Sequence, residues 1–233
     1  DDACRDLGFL VITGHRVDMA LVDSLHRAAY AFFDLPVEQK TEIAFGKISS
    51  YGGYGATGLD RLDVNGDGPA VGDLKETFGM GPFGMSDEPY YKGPAGLRYF
   101  QPNAWPAQLP DMQPTFETAY RSFEAFANEL MKMFARALSL DDDFFAASVD
   151  RHITHLNIQH YPVQDRDPTP GQIRAGAHTD FGSFTLLHPG ERPEGLQVQD
   201  AKGKWHDVVI PKDAFVVNLG DLIDRDRDLS KIA

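Results

Sequence analysis

A chain of 233 residues that is 42% apolar and 11% aromatic is long enough for one large domain or two small ones and can fill a core. Its 22 basic and 35 acidic residues leave a net charge of −13, which repels phosphate backbones and anionic bilayers and argues against nucleic acid or membrane partners. The single cysteine excludes an internal disulfide, and no apolar run suggests a membrane span or a signal peptide, so the expected setting is soluble, reducing and cytoplasmic.

The first element expected is a buried strand in L-G-F-L-V-I-T-G-H, Leu7 to His15, a β-branched apolar run bounded by glycines. A helix follows, with Asp18 as N-cap and Leu21, Leu25, Ala28 and Phe32 at spacings of three and four, until Asp34-Leu35-Pro36 stops it. Pro36 can open a second, shorter helix through V-E-Q-K-T-E. The glycine-rich stretch from Ser49 to Gly72 reads as loop, either a plain connection or a substrate cover whose Tyr51 and Tyr54 face a ligand. It lacks the Gly-Lys-Ser/Thr of a phosphate cradle. L-K-E-T-F-G-M-G-P, Leu74 to Pro82, alternates as a strand does. Between Pro114 and Leu140 the stripe Phe116, Tyr120, Phe123, Ala127, Leu130, Phe134, Ala137 predicts the longest helix, a packing stripe rather than a catalytic one. A short helix is expected around Asp142 to Ser148.

From His152 the periodicity changes to short strand-like runs divided by Gly, Pro and Asp: I-T-H-L-N-I-Q-H-Y-P, S-F-T-L-L-H, G-L-Q-V-Q-D, K-W-H-D-V-V-I-P and A-F-V-V-N-L-G-D-L-I. Such a block predicts a sandwich or barrel, jelly rolls included. The expectation is a mainly β single domain over 1–233, with a helical shell and edge strands in 1–150 and the β core in 151–233.

One stretch carries chemistry: G-A-H-T-D-F-G-S-F-T-L-L, Gly176 to Leu187. Eight histidines and 35 acidic residues in 233 positions give about one His-x-acid match by chance, and there is one, so spacing alone does not decide. In extended chain, residues i and i+2 point to one side with Cα atoms roughly 6–7 Å apart, so His178 and Asp180 can address one ion while Thr179 points away. One imidazole and one carboxylate suit a first-row ion such as Fe(II), and the two-histidine, one-carboxylate triad leaves coordination positions open. The alternative is that Asp180 caps a turn and His178 bonds locally. Position favours the metal, because the pair follows a flexible P-T-P-G and opens a strand of the β block. His152, His155, His160, His188 and His206 lack metal spacing and read as surface or satisfied core residues. No G-x-S-x-G elbow is present, and the lone cysteine lies far from any His-rich segment, which leaves hydrolase chemistry without support.

Taken together, G-F-L-V-I-T-G-H, F-F-D-L-P with E-Q-K, D-L-K-E-T-F-G-M-G, H-Y-P, H-T-D-F-G-S-F-T-L-L, G-L-Q-V and V-V-N-L-G-D resemble, in order, the iron(II)- and 2-oxoglutarate-dependent dioxygenases of the branch that includes isopenicillin N synthase. The resemblance implies a double-stranded β-helix (jelly-roll) core with flanking helices. It also implies Fe(II) as cofactor, 2-oxoglutarate as cosubstrate, dioxygen as oxidant and a small organic molecule as substrate. It makes His178 and Asp180 iron ligands and Tyr161 a donor to the 2-oxoglutarate carboxylate. Gln159 stands where relatives carry an asparagine near the cosubstrate, and Phe181 borders the substrate or joins the core. For Asn218 and Asp221 the expected role is to hold a strand end and turn. The family's second histidine, and the arginine and serine that anchor the far carboxylate, are not found: after Asp221 the sequence reads L-I-D-R-D-R-D-L-S-K-I-A. The expectation is therefore a chain that omits segments of the natural protein. A cosubstrate-free oxidase of the isopenicillin N synthase type and a non-catalytic jelly-roll binding protein remain the rival readings.

Overall fold

The structure, a computed structural model, describes residues 8–49, 52–58, 72–165, 167–170, 172–190, 194–200 and 202–222. Among them are eight strands and six helices: β1 (Phe9–Ile12), α1 (Met19–Phe33), α2 (Val37–Thr41), β2 (Gly53–Gly55), β3 (Glu76–Met80), α3 (Pro89–Lys92), α4 (Gly96–Tyr99), α5 (Met112–Ala137), α6 (Ala146–Val149), β4 (Leu156–His160), β5 (Phe184–Leu187), β6 (Gln197–Gln199), β7 (Trp205–Asp207) and β8 (Phe215–Leu219). All strand pairs are antiparallel. The chain passes four times between two compact units. Unit 1 takes the described residues of Asp1–Val22, Ala119–Asp150 and Thr179–Ala233, and unit 2 those of Asp23–Thr118 and Arg151–His178.

Unit 1 is built on the sheet β1-β8-β5, with β6-β7 as a separate hairpin. Its central strand is apolar on both faces: Ala214, Phe215, Val216 and Val217 are all buried, so this part of the sheet is covered on both faces rather than presenting one to water. Phe215 lies at the middle of the core. The rings of Phe123, Phe126, His15 and His188 surround it at 4.8–5.7 Å between centroids, all edge-on or tilted, the arrangement ring quadrupoles favour. Val17, Val22, Leu130 and Val217 complete that cluster. Asp18 does cap α1, its Oδ1 accepting the Ala20 amide at 2.9 Å.

Unit 2 is built on β2-β3-β4. Phe78 of β3 is fully buried among the rings of Phe32, Trp105 and Phe116, at 5.0–5.5 Å. The same strand carries charge inward. Glu76 Oε2 accepts from Lys40 Nζ (2.8 Å) and from the Tyr54 hydroxyl (2.7 Å), and Oε1 meets His160 Nδ1 (2.8 Å). Lys40 also donates to the Phe33 carbonyl at 2.9 Å, and both charged residues are buried. Just before Glu76 on the chain lies a second buried pair, Lys75 Nζ to Asp73 Oδ2 at 3.0 Å.

The helical stripes lie largely where the sequence puts them: Leu25, Phe32, Phe116, Tyr120 and Leu130 are buried, and Phe123 and Phe134 pack half-buried against the core. In α1 the buried residues are Val22, Leu25, Ala29, Phe32 and Phe33, with Leu21 and Ala28 half-buried. In α5 they are Met112, Phe116, Ala119, Tyr120, Phe126, Leu130, Met131 and Ala135, while Ala137 is exposed. Each stripe is wider than a single row because a helix against a core buries two adjoining rows. The expected Ser49–Gly72 loop contains β2. Gly53 has φ +123°, and a Cβ there would lie 2.2 Å from the Ile43 carbonyl oxygen, so this glycine answers a close approach of backbone rather than a need for flexibility.

Burial alone would raise the Glu76 carboxyl, but hydrogen bonds from Lys40, Tyr54 and His160 outweigh it and hold it below the usual glutamate value of 4.5. A carboxyl depressed on folding contributes stability above its unfolded pKa and loses it as pH falls through the folded value. Stability measured by denaturant unfolding should therefore fall below about pH 4.5. Glu76→Ala, which strands the Lys40 ammonium, should cost about 3–5 kcal/mol at neutral pH. Lys40→Met/Glu76→Gln should recover most of that and flatten the acid limb.

Candidate metal centre

Asp180 precedes β5, and its surroundings follow from the strand register. Thr185 of β5 and Asn218 of β8 are Cα partners, so their side chains leave the same face of the sheet side by side. Both reach the same atom. The Thr185 hydroxyl and Asn218 Nδ2 (2.7 Å) donate to Asp180 Oδ2, which fixes the rotation of a half-buried carboxylate. The backbone is clamped too: Asp221 N donates to the Asp180 carbonyl at 2.7 Å, Gly220 N to Ser183 O at 2.9 Å and Leu222 N to Gly182 O at 3.3 Å. A Cβ on Gly220 would meet Gly182 O at 2.1 Å and Asp180 O at 2.9 Å, so only glycine lets the two segments lie this close. Each letter of N-L-G-D thus has a task except Leu219, which ends the ladder.

His178, the last residue of unit 2, sets Nδ1 at 2.8 Å from the Gly176 carbonyl oxygen. A ring nitrogen bonded to a carbonyl must carry the proton, which puts the lone pair on Nε2. A backbone carbonyl behind the ring is the usual outer partner of a metal-ligating histidine. The Gly176 amide in turn donates to Asp73 Oδ1 at 3.2 Å.

Gln159 and Tyr161 project from the same side of the chain at the end of β4, and the Tyr161 hydroxyl donates to Gln159 Oε1 at 2.7 Å. Burial, reinforced by the nearby Asp73 charge and opposed by Arg174, pushes the Tyr161 phenol up, so it remains a donor at any physiological pH. His160 points to the opposite side, toward Glu76, its Cα partner across the ladder. It is a satisfied core histidine, as expected; His206 likewise bonds Asp200 at 2.9 Å.

One expectation about a tyrosine and one about Phe181 need revision. Tyr54 does not face a ligand from a loop: it is 3% exposed, lies in β2, packs edge-on to Phe32 at 5.9 Å and spends its hydroxyl on Glu76. Tyr51 lies outside the described residues. Phe181 is 87% exposed, which removes the core alternative. Sequence reasoning assigns no role to Thr185, Gly220 or Asp73 and gives Asn218 only a strand end and turn, whereas all four bond to or lie against the segment around H-T-D. The signal for Asn218 and Gly220 was present in V-V-N-L-G-D, whereas Thr185 and Asp73 become visible only through register and long-range bonding.

Taken singly, an imidazole whose Nδ1 is bonded to a carbonyl and an oriented carboxylate are each donors of the kind first-row divalent ions take. Among the described residues no group of three or more His, Cys, Asp or Glu side chains is arranged to hold a metal. None of the described helices is long and apolar enough to cross a membrane.

A family model for the 2OG-Fe(II) oxygenase superfamily matches residues 153–228, and one for the N-terminal region of non-haem dioxygenases in morphine synthesis matches residues 1–108. The chain is 38% identical to the 2-oxoglutarate-Fe(II) type oxidoreductase hxnY of Emericella nidulans, over 96% of this chain and 64% of that protein. It is 32% identical to the proline hydroxylase buaE of Petromyces alliaceus, over 96% of this chain and 68% of that one. The chain thus spans about two thirds of the length of these relatives. Among solved structures, a 2OG-Fe(II) oxygenase family protein of Caulobacter crescentus superposes with TM-score 0.77 at 31% identity, covering 94% of this chain and 67% of that one. A Neurospora crassa protein in complex with alpha-KG and thymine superposes with TM-score 0.76 at 30% identity, covering 94% and 66%. The fold is accordingly the jelly roll of these oxygenases, with flanking helices.

Removing one of the two donors on Asp180 Oδ2 leaves a half-buried carboxylate under-satisfied. Asn218→Ala should cost about 1–3 kcal/mol in chemical denaturation. In the Asp180→Ala background the same change should be close to silent, a coupling that a double-mutant cycle reads directly.

Proposed function

The chain belongs to the 2OG-Fe(II) oxygenase superfamily, and we propose that it is an Fe(II)- and 2-oxoglutarate-dependent oxygenase that oxidises a small organic molecule by hydroxylation, desaturation or ring formation. The observation that carries this reading is the treatment of the H-T-D motif: the histidine and the aspartate are each oriented by hydrogen bonds of the kind that support metal ligands. Iron, when bound, supplies the activation of dioxygen, with 2-oxoglutarate leaving as succinate and carbon dioxide.

The protein's own share is orientation. His178 offers Nε2, and Asp180 offers a carboxylate whose rotation Thr185 and Asn218 have already fixed. Tyr161 and Gln159 face the cosubstrate, the phenol donating to its carboxylate; a phenol that keeps its proton suits that role. Phe181, with its ring largely in solvent, and Tyr51 border the substrate. The small-molecule substrate class rests on the named relatives, a proline hydroxylase among them, and on the complex with thymine. A cytoplasmic setting fits a chain with one cysteine.

Anaerobic addition of Fe(II) and 2-oxoglutarate to the intact protein should produce a weak visible charge-transfer band, absent from His178→Ala and from Asp180→Ala. With substrate and dioxygen, succinate should form in step with product. A band that persists unchanged in Asp180→Ala overturns the ligand assignment, and turnover without succinate replaces the reading with a cosubstrate-free oxidase.

A further inference from the structure

We infer that Asp73, charge-paired with Lys75, is the positioning residue for His178, acting through the backbone of Gly176. This inference rests on the proposed role of His178 as a metal ligand.

The path has three contacts, all within unit 2. Lys75 Nζ bonds Asp73 Oδ2 at 3.0 Å, the Gly176 amide donates to Asp73 Oδ1 at 3.2 Å, and the Gly176 carbonyl receives His178 Nδ1 at 2.8 Å. The two charged side chains are 3% and 5% exposed, for Lys75 and Asp73 respectively, and Gly176 is buried. An ion pair this deep seldom adds net stability over apolar residues of the same shape, because desolvation of both charges offsets their attraction. Its retention asks for another use, and the second oxygen of Asp73 shows one: it holds a chain segment 103 residues away.

That segment needs holding. The residues around it, from Gln172 to Asp180, form no helix or strand, so no ladder of backbone bonds fixes their course. Glycine has wider backbone freedom than any other residue, so a carbonyl on Gly176 wanders unless its neighbour atoms are tied. The Asp73 carboxylate ties the amide of that same residue. Two torsions then separate a buried anchor from the carbonyl that sets the imidazole's plane and tautomer. Neither Asp73 nor Lys75 need touch metal, cosubstrate or substrate for this; their effect is on where Nε2 points. Leu74, between them, donates its amide to the Ile173 carbonyl at 3.1 Å, and the Gln172 side chain donates to the Gly72 carbonyl at 3.1 Å, so 72–74 and 172–176 are stitched along their length with the carboxylate at the end nearest His178.

The test uses paired variants of the intact protein, so that no charge is left buried alone. Asp73→Ala/Lys75→Met deletes the acceptor, and Asp73→Asn/Lys75→Met keeps an oxygen for the Gly176 amide without the charge. Anaerobic titration with Co(II) reads affinity, and the visible d–d spectrum reads ligand geometry. The Ala/Met variant should bind ~10–100-fold more weakly, with an altered spectrum, the range seen when outer-shell partners are removed. The Asn/Met variant should stay within about threefold of wild type, since an amide oxygen accepts the same hydrogen bond. Wild-type affinity and spectrum in an Ala/Met variant with native circular dichroism overturn the inference. Nitrogen-15 histidine spectra of the metal-free wild type give a second reading that requires no variant to fold except His178→Ala, which identifies the resonance. Protonation of His178 on Nδ1 is expected, and protonation on Nε2 overturns it. If His178→Ala itself binds Co(II) as wild type does, the metal reading of His178 has failed; if only the Asp73 variants are silent, the positioning role alone has failed.

Discussion

The feature on which the candidate site depends is the pair of hydrogen bonds that Thr185 and Asn218 give to one oxygen of Asp180. They exist because β5 and β8 pair in a register that sets those two residues opposite each other. A slip of one residue between the two strands would put their side chains on opposite faces and leave the carboxylate short of a donor. The register in turn depends on the buried apolar run of β8, which fixes which residues point into the core around Phe215. Packing of a hydrophobic strand and orientation of a polar ligand are therefore one constraint. Gly220 adds the last condition, since any side chain there would push the Asp180 segment away from the strand end that holds it.

Unit 2 solves a related problem with charge. Its strand β3 is buried along its whole length, yet the run from Asp73 to Glu76 carries four residues of which three are ionisable. Each is neutralised at short range, Glu76 by Lys40 and Asp73 by Lys75. Glu76 also joins β4 to the helical layer within this unit, since His160, Tyr54 and the Lys40 that reaches back to Phe33 all converge on it. The His160 ring stacks on Phe33 at 4.8 Å, so the polar cluster and the aromatic core share a boundary. This fixes the course of β4 just before Tyr161. Alternation along the strand then sends Gln159 and Tyr161 to the side away from Glu76, where they bond each other.

The sequence by itself determined the elements and the chemistry-bearing motif. Periodicity located α1 and α5, β-branched runs located β1 and the five strands after His152, and Asp18 announced its cap. These are properties of short windows, because amphipathic spacing and capping depend on neighbours three or four residues away. The H-T-D pair was legible for the same reason, since i and i+2 geometry is local. What tertiary structure decided was the partner of each polar group. Tyr54 was sent to the core because a carboxylate 22 residues on accepts its hydroxyl; Gly53 beside it answers a backbone approach rather than a mobile loop. Asn218 serves a carboxylate 38 residues earlier, and Asp73 an amide 103 residues later. No window of sequence contains both ends of such a bond, and only packing brings them within 3.2 Å.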